Sequence, residues 1–203
     1  MLALRRVEIE REIADKRWQL ANVEMRLQQI EHEHDPEPYE IVVKELPPLH
    51  VASLRHLSPT ILEVGYFCET LYGQLYTRLE ELGVTPLEPE MTFYHNEEYA
   101  DTDIDMEVAV PVDAMVTHTP PADDYLNFRE EPGRTLAAAL VFEGGYSEVG
   151  GPIQSLLKWI GQHNHTTAGP LRELHLSGRA HGCGIVAASV PVIEIQVPIT
   201  PIK

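Results

Sequence analysis

The stretch GPLRELHL, residues 169–176, has a counterpart earlier in the chain, EPEMTFYH, residues 88–95. Both stretches have a proline as their second residue and continue as a short run typical of a β-strand. Each is followed by an alternating segment with a Val-Pro step, EVAVPV at 107–112 and EIQVPI at 194–199. The two motifs follow each other in the same order in both halves of the chain, and this predicts an internal duplication.

The surrounding elements recur in the same order. The strand-like VASLRH (51–56) precedes a helical pattern over about 59–82, and LAAALVFEGGY (136–146) precedes a second helical pattern over 148–163. These patterns predict an α+β fold of two pseudo-twofold-related β-α-β-β modules, at about 39–112 and 134–200. Each helix would cover one face of an antiparallel sheet, and the two uncovered faces would form a ligand cleft.

Alternation along the strands predicts which residues face that cleft. We expect Leu174 and Leu176 to pack beneath the helix of the second module, and Phe93 to do the same in the first. The opposite side of the same strands would then line the cleft with Glu173, His175, Thr92 and Tyr94. A carboxylate in an apolar cleft is costly unless paired, so Glu173 predicts a cationic ligand that stacks on aromatic rings.

The N-terminal segment predicts a separate unit. Apolar residues recur at alternating steps of four and three from Ile9 to Ile30, which is a heptad seam, and HDPEPYE at 34–40 ends the helical pattern. We predict a coiled-coil helix over 1–34 that forms a homodimer, followed by one domain over 35–203. The alternative is that the apolar stripe packs on its own domain.

Composition excludes several kinds of partner. The formal net charge of −17 argues against direct nucleic-acid contact by this chain. We predict neither a membrane span nor a signal peptide, and a cytoplasmic location, since no long apolar run is present. Cys68 and Cys183 indicate no disulfide scaffold, and HNH (163–165) and HGCG (181–184) lack the spacing of a metal site. We expect no metal and no cofactor.

Several motifs together resemble the GyrI-like effector-binding family. They are YEIVVKELP (39–47), MEVAVPV (106–112), FEGGYSE (142–148), LLKWI (156–160), GPLRELHL and IEIQVPI (193–199). In MerR-type multidrug-sensing regulators this domain follows a DNA-binding head and a dimerisation helix, which the segment 1–34 also resembles. The resemblance implies that this chain binds a hydrophobic, cationic effector and regulates transcription. Because the chain begins within that helix, we expect the DNA-binding head to be absent from it.

The resemblance also implies the site residues. Glu173 matches the acid that neutralises cationic, aromatic ligands in the family, and His175 stands where the family usually has tyrosine. GGY at 144–146 replaces the more common GPY. We expect the aromatic contacts from Tyr66, Tyr94, Tyr146 and Trp159.

Two other functions stay open. Some stand-alone members of the family hydrolyse strained, electrophilic cyclopropane-bearing compounds, and here Glu173, Tyr94 and His175 would supply the acid–base chemistry. Alternatively, the acidic surface binds a basic protein. A further alternative concerns Glu173 alone: it pairs within the protein with Arg172, Arg179 or a histidine and has no other role.

Overall fold

A computed structural model describes residues 38–97, 100–177 and 190–202, and the single helical positions Arg5 and Lys16. The chain divides into two compact units, Met1–Pro38 and Tyr39–Lys203. The coiled coil and homodimer predicted for 1–34 fall outside the described residues. The second unit contains both predicted modules.

The order β-α-β-β occurs twice, as predicted. The strands of the described residues are β1 (Val42–Leu46), β2 (Leu49–Thr60), β3 (Glu90–Tyr94), β4 (Thr102–Pro111), β5 (Asn127–Glu131), β6 (Arg134–Glu143), β7 (His165–Thr167), β8 (Leu171–His175) and β9 (Val192–Pro201). The helices are α1 (Val64–Glu81), α2 (Ala114–His118) and α3 (Gly150–Gln162), and short 3-10 turns precede α1 and α3. The first module is β2-α1-β3-β4 and the second is β6-α3-β8-β9. The sequence patterns did not predict β1, β5, β7 or α2.

The two modules join edge to edge in one antiparallel sheet. Its order is β1-β6-β9-β8-β3-β4-β2-β5, and β7 pairs with β9. At the junction, Thr92 of β3 pairs with Glu173 of β8. On its other side, Thr92 pairs with Val108 of β4. Glu173 pairs in the same way with Ile195 of β9, so the registers of the two modules correspond. A local twofold axis therefore passes between Thr92 and Glu173.

The outermost strands are exchanged between the modules. In sequence β1 leads into β2, yet it pairs with β6, whereas β5 leads into β6 and pairs with β2. The two short connections touch, because a Cβ on Gly133 would stand 3.1 Å from the carbonyl oxygen of Leu46. The guanidinium of Arg129 on β5 also reaches the ring of Phe93 on β3, 5.5 Å from its centroid. The sheet is thus curled until its two ends adjoin.

Each helix packs on the outer strands of its own module. The helix α1 lies on β2 and β4, while α3 lies on β6, β7 and β9. Tyr72, Leu75 and Leu79 recur at helical spacing on α1 and are fully buried, and Leu156 and Ile160 do the same on α3. Burial of each such side chain contributes about 1.5–3 kcal/mol. The central strands β3 and β8 are left between the two helices.

The predicted orientation of these central strands is wrong by one residue. Thr92 faces α1, where its hydroxyl lies 3.2 Å from the hydroxyl of Tyr72. Phe93 and Leu174, which the alternation placed beneath the helices, lie in a separate core on the helix-free face with Met91. A shift of one residue moves every side chain of a strand to the other face.

The physical reason is that the curl buries the face without helices. That face therefore needs apolar residues at the centre of the sheet, and the strip between the two helices accepts the polar ones. The predicted cleft between two opposed open faces is also wrong, since both modules belong to one sheet and its helix-free face is filled by an apolar core.

No helix in the described part of the chain is long and apolar enough to cross a membrane.

Candidate functional site

Polar and aromatic side chains gather on the helix side of β3 and β8, around the local twofold axis. We call this group the axial site. Its members are Cys68, Tyr72 and Tyr76 from α1, Glu90, Thr92 and Tyr94 from β3, Glu173 and His175 from β8, and Tyr146 from the turn before α3. Four of the residues predicted from sequence, Glu173, His175, Thr92 and Tyr94, come together here although the predicted face was the wrong one.

Glu173 occupies the centre of the site. It is only 5% exposed, and burial raises the pKa of its carboxyl to about 7, against the opposing effect of a hydrogen bond from Tyr94. None of the described Lys, Arg and His side chains forms an ion pair with it. Arg172 is the next residue of the same strand and points to the opposite face, which excludes that internal pair, while Arg179 lies outside the described residues. The carboxylate therefore has no described counter-charge.

Two protonated groups lie near this carboxyl. The hydroxyl of Tyr94 donates to Oε2 of Glu173 over 3.5 Å, and burial followed by the charge of Glu173 raises the pKa of this tyrosine well above its usual value. Burial and Glu173 likewise raise the pKa of Cys68 to about 12. Both groups stay neutral near pH 7, so they can donate hydrogen bonds but cannot balance a negative charge.

His175 and Tyr146 form a pair beside Glu173. The Tyr146 hydroxyl lies 3.1 Å from Nδ1 of His175, and the two ring centroids are 5.5 Å apart. Tyr72 places its ring edge-on to His175, 6.3 Å between centroids. Tyr146 is 38% exposed, so this side of the group is in contact with solvent.

The backbone before α3 brings Tyr146 to this position. A Cβ on Gly144 would stand 2.3 Å from the ring of Phe142, so this ring can pack directly against the backbone because the residue is glycine. The turn ends in the short 3-10 segment Tyr146–Glu148. The GGY motif noted in the sequence therefore positions an aromatic side chain of the site.

Glu90 is a second acid in the site, and the sequence analysis missed it. It is 1% exposed, and the hydroxyl of Tyr76 donates to its Oε1 over 2.6 Å. In the backbone register of β3 and β8, Glu90 lies opposite His175 across the module junction. The predicted strand began only at Met91, so Glu90 was left outside it. Extending the alternation of Thr92 and Tyr94 by one step would have placed Glu90 on the same face.

The sequence profile of the GyrI-like small molecule binding domain matches residues 39–200. The chain belongs to the GyrI-like family. This confirms the resemblance inferred from the sequence motifs, and the two β-α-β-β modules are the part of the chain that the profile covers.

Solved structures of low sequence identity share the fold of this GyrI-like chain. The crystal structure of the EcmrR C-terminal domain aligns at 20% identity and a TM-score of 0.65, covering 81% of this chain and 99% of that one. EcmrR in a cryo-EM structure of its DNA complex aligns at 21% identity and 0.67, covering 99% of this chain and 72% of that one. A hydrolase from Listeria innocua aligns at 10% identity and 0.51, covering 85% and 98%. None of the curated proteins is similar enough to count as a match.

Two residues predicted as ligand contacts lie elsewhere in this GyrI-like domain. Trp159 stacks on His163 near the end of α3, with 4.0 Å between the ring centroids. Tyr66 is 68% exposed and contacts Phe67. Neither makes a described contact with Glu173, whereas Tyr146 lies in the axial site next to His175. Contact of any of these residues with a ligand stays a prediction.

The chemistry available in the GyrI-like site is that of charge neutralisation and proton transfer. It offers one carboxylate without a counter-charge, a second carboxylate that accepts from a tyrosine, and several hydroxyls within aromatic walls. Among the described residues there is no group of three or more side chains that could hold a metal ion.

Proposed function

We propose that the axial site binds a hydrophobic organic cation, with Glu173 as its counter-charge. The observation that carries this proposal is the burial of Glu173 without a cationic partner among the described residues. Desolvation favours the protonated acid, and an incoming cation favours the ionised form. Part of the desolvation cost of the carboxylate is thus recovered only when a cation is bound.

The aromatic side chains define the rest of the ligand. Tyr94 and Tyr146 lie near the carboxyl, and Tyr72 contacts the neighbouring His175. A cation within about 6 Å of such rings is attracted to their faces. A ligand that joins a delocalised positive charge to flat apolar surface would use both features. This is the effector class that the resemblance implies.

In the cell this binding would serve transcriptional regulation. The family is described as a small molecule binding domain, and the likeness to EcmrR in its complex with DNA extends over 99% of this chain. We propose that the chain acts in the cytoplasm as the effector-binding part of a MerR-type regulator and dimerises through 1–34. Its net charge of −17 indicates that another part of such a regulator contacts DNA. Light scattering of the full chain tests the dimer, and a monomer at micromolar concentration would exclude it.

The ligand proposal is tested with two dyes of similar shape and opposite charge. Fluorescence anisotropy of rhodamine 123, a cation, should show saturable binding, whereas anionic fluorescein should not bind. Glu173→Gln should weaken rhodamine binding by tenfold or more, since it removes a buried charge pair. Glu69→Gln, an exposed acid on α1, is the matched control and should leave the affinity unchanged. Equal affinity for both dyes, or equal loss in both variants, would exclude Glu173 as the counter-charge.

A second candidate function is hydrolysis of electrophilic small molecules. The observation that favours it is a carboxyl of pKa about 7 beside the hydroxyl of Tyr94, a pair suited to general acid–base catalysis. Product formed in excess over protein from a cyclopropane-bearing electrophile, and lost in Glu173→Ala, would establish catalysis. Absence of turnover in the unsubstituted protein would leave the binding role alone.

A further inference from the structure

A second group of charges surrounds Arg172 on the side of the sheet opposite to Glu173. We call it the inner cluster, and its members are Lys44, Arg129, Arg134, Arg172, Glu107, Glu131 and Glu194. Its three carboxylates are already paired, Glu194 with Lys44, and both Glu107 and Glu131 with Arg129. Four cations therefore stand against three carboxylates, in a chain whose formal net charge is −17.

Arg172 is a buried member of the inner cluster that forms no ion pair with any described residue. Its side chain is buried, with 3% of the residue exposed, and its guanidinium lies 6.0 Å from the centroid of the Phe93 ring. Within residues 38–97, 100–177 and 190–202 its Nε has no hydrogen-bond acceptor, and the group forms no ion pair. The Nε of Arg134 is buried without a described acceptor as well.

The two arginines also repel each other. Burial lowers the pKa of Arg172; the charge of Glu131 opposes this, and the charge of Arg134 lowers the pKa further. Nη2 of Arg134 stands 3.8 Å from the point that a Cβ on Gly169 would occupy, three residues before Arg172. The charges of Arg172 and Arg134 therefore act on each other, and each side chain has a buried Nε–H without a described acceptor.

Two arginines with buried N–H groups that lack described acceptors are suited to binding an anion. A buried guanidinium without an acceptor loses its hydration and gains nothing in return, and such groups in folded proteins usually mark a water or ion. The planar fork of N–H donors matches the oxygens of a carboxylate, sulfate or phosphate group. We propose that Arg172, together with Arg134, binds a small oxyanion within the curl of the sheet. The Lys44 side chain is 36% exposed, so the inner cluster reaches the surface at that residue.

Calorimetric titration of the full chain with sodium sulfate, phosphate and acetate, at constant ionic strength set by sodium chloride, tests the site. We expect one oxyanion per chain, and Arg172→Met should weaken its binding by at least about tenfold, as expected for loss of hydrogen bonds from a charged donor. Arg55→Met is the matched control, because Arg55 is a cation of the same sheet that already pairs with Asp105. Glu173→Gln tests independence from the axial site. Both should bind the oxyanion as the unsubstituted protein does.

Thermal unfolding provides a second readout that a merely structural role would not give. Without oxyanion, Arg172→Met should unfold at the same temperature as the unsubstituted protein or higher, since it removes a buried charge that has no partner. Relative to sodium chloride at the same ionic strength, added sulfate or acetate should then raise the unfolding temperature of the unsubstituted protein by more than that of the variant, in which only the general effect of the salt remains. The proposal is overturned if the three oxyanions act no differently from chloride, or if Arg172→Met binds them with unchanged affinity. Preference for acetate or for the tetrahedral ions identifies the group that the site prefers.

Discussion

Replacement of Glu173 by glutamine should stabilise the protein, and by an amount that grows with pH. The carboxyl has a pKa of about 7 in the folded chain against an ordinary value of 4.5, because burial disfavours its charge. Between these two values the folded state holds a proton that the unfolded state has released. Stability contributed by the protonated acid is therefore lost as pH rises toward 7, and it stays lost above that pH. Glutamine has no such proton to lose.

The size of the effect follows from the two pKa values. Each pH unit between them corresponds to about 1.36 kcal/mol. The advantage of Glu173→Gln over the unsubstituted protein should thus be less than about 1 kcal/mol at pH 5 and about 3 kcal/mol at pH 8. Hydrogen bonding from Tyr94 can continue to the amide oxygen, so the substitution changes charge with little change of shape.

Urea unfolding at pH 5 and pH 8 measures this difference directly. Both proteins should show the same dependence of unfolding free energy on urea, so that the midpoints report stability. Glu69→Gln, at an exposed position on α1, should show no such change with pH. If the stability gap between Glu173→Gln and the unsubstituted protein is the same at both pH values, Glu173 ionises as an ordinary acid and the reasoning about its burial fails.

Three further predictions concern the same structure. Affinity for a cationic dye should fall about a hundredfold from pH 8 to pH 5, because only about 1% of a carboxyl with a pKa near 7 is ionised at pH 5; anisotropy titrations that show a flat profile would contradict this. Arg129→Met should lower the unfolding free energy by about 3 kcal/mol, since it takes the cation away from buried Glu131 and leaves buried Glu107 with His95 alone. Arg55→Met should cost less than about 1 kcal/mol at an exposed pair. Similar urea midpoints for the two variants would be inconsistent with that contrast. Tyr76→Phe removes a donor to buried Glu90 and should cost about 1–3 kcal/mol, and an unchanged midpoint would mean that this hydrogen bond contributes nothing.

The repeat could be predicted because each module carries the same short sequence motifs. The motifs around Thr92 and Glu173 share a register, and that register reappears as the backbone pairing between β3 and β8. The element order followed from the same comparison. Periodicity of this kind depends only on neighbouring residues, which a single sequence displays.

The orientation of the central strands could not be predicted in the same way. Alternation shows that Leu174 and Glu173 point in opposite directions, but it does not show which direction is buried by a helix. The decisive information is the curl, which depends on long-range pairing of β1 with β6 and of β5 with β2. Neither strand appeared in the sequence patterns, because each is short and carries charged residues at a sheet edge.

Long-range structure also explains why the sequence patterns did not predict two charged residues, Glu90 and Arg129. Glu90 corresponds in the repeat to Leu171, so a comparison of the two modules gave no reason to expect an acid there. Arg129 contacts Glu107 only because the curl brings β5 over the helix-free face. Contacts of this kind are set by tertiary structure, so no spacing in the sequence indicates them.

The exchange of the outermost strands makes the two modules depend on each other for completion. A fragment that ends in the segment between α2 and β5 retains β1 but lacks β6, the strand with which β1 pairs. The complementary fragment contains β5 but lacks β2. Neither half would have a satisfied sheet edge when produced separately, and each exposes the surface that fits the other. Two such fragments produced together are therefore expected to assemble, which makes the loop between the modules a natural place to divide this domain into a two-piece reporter.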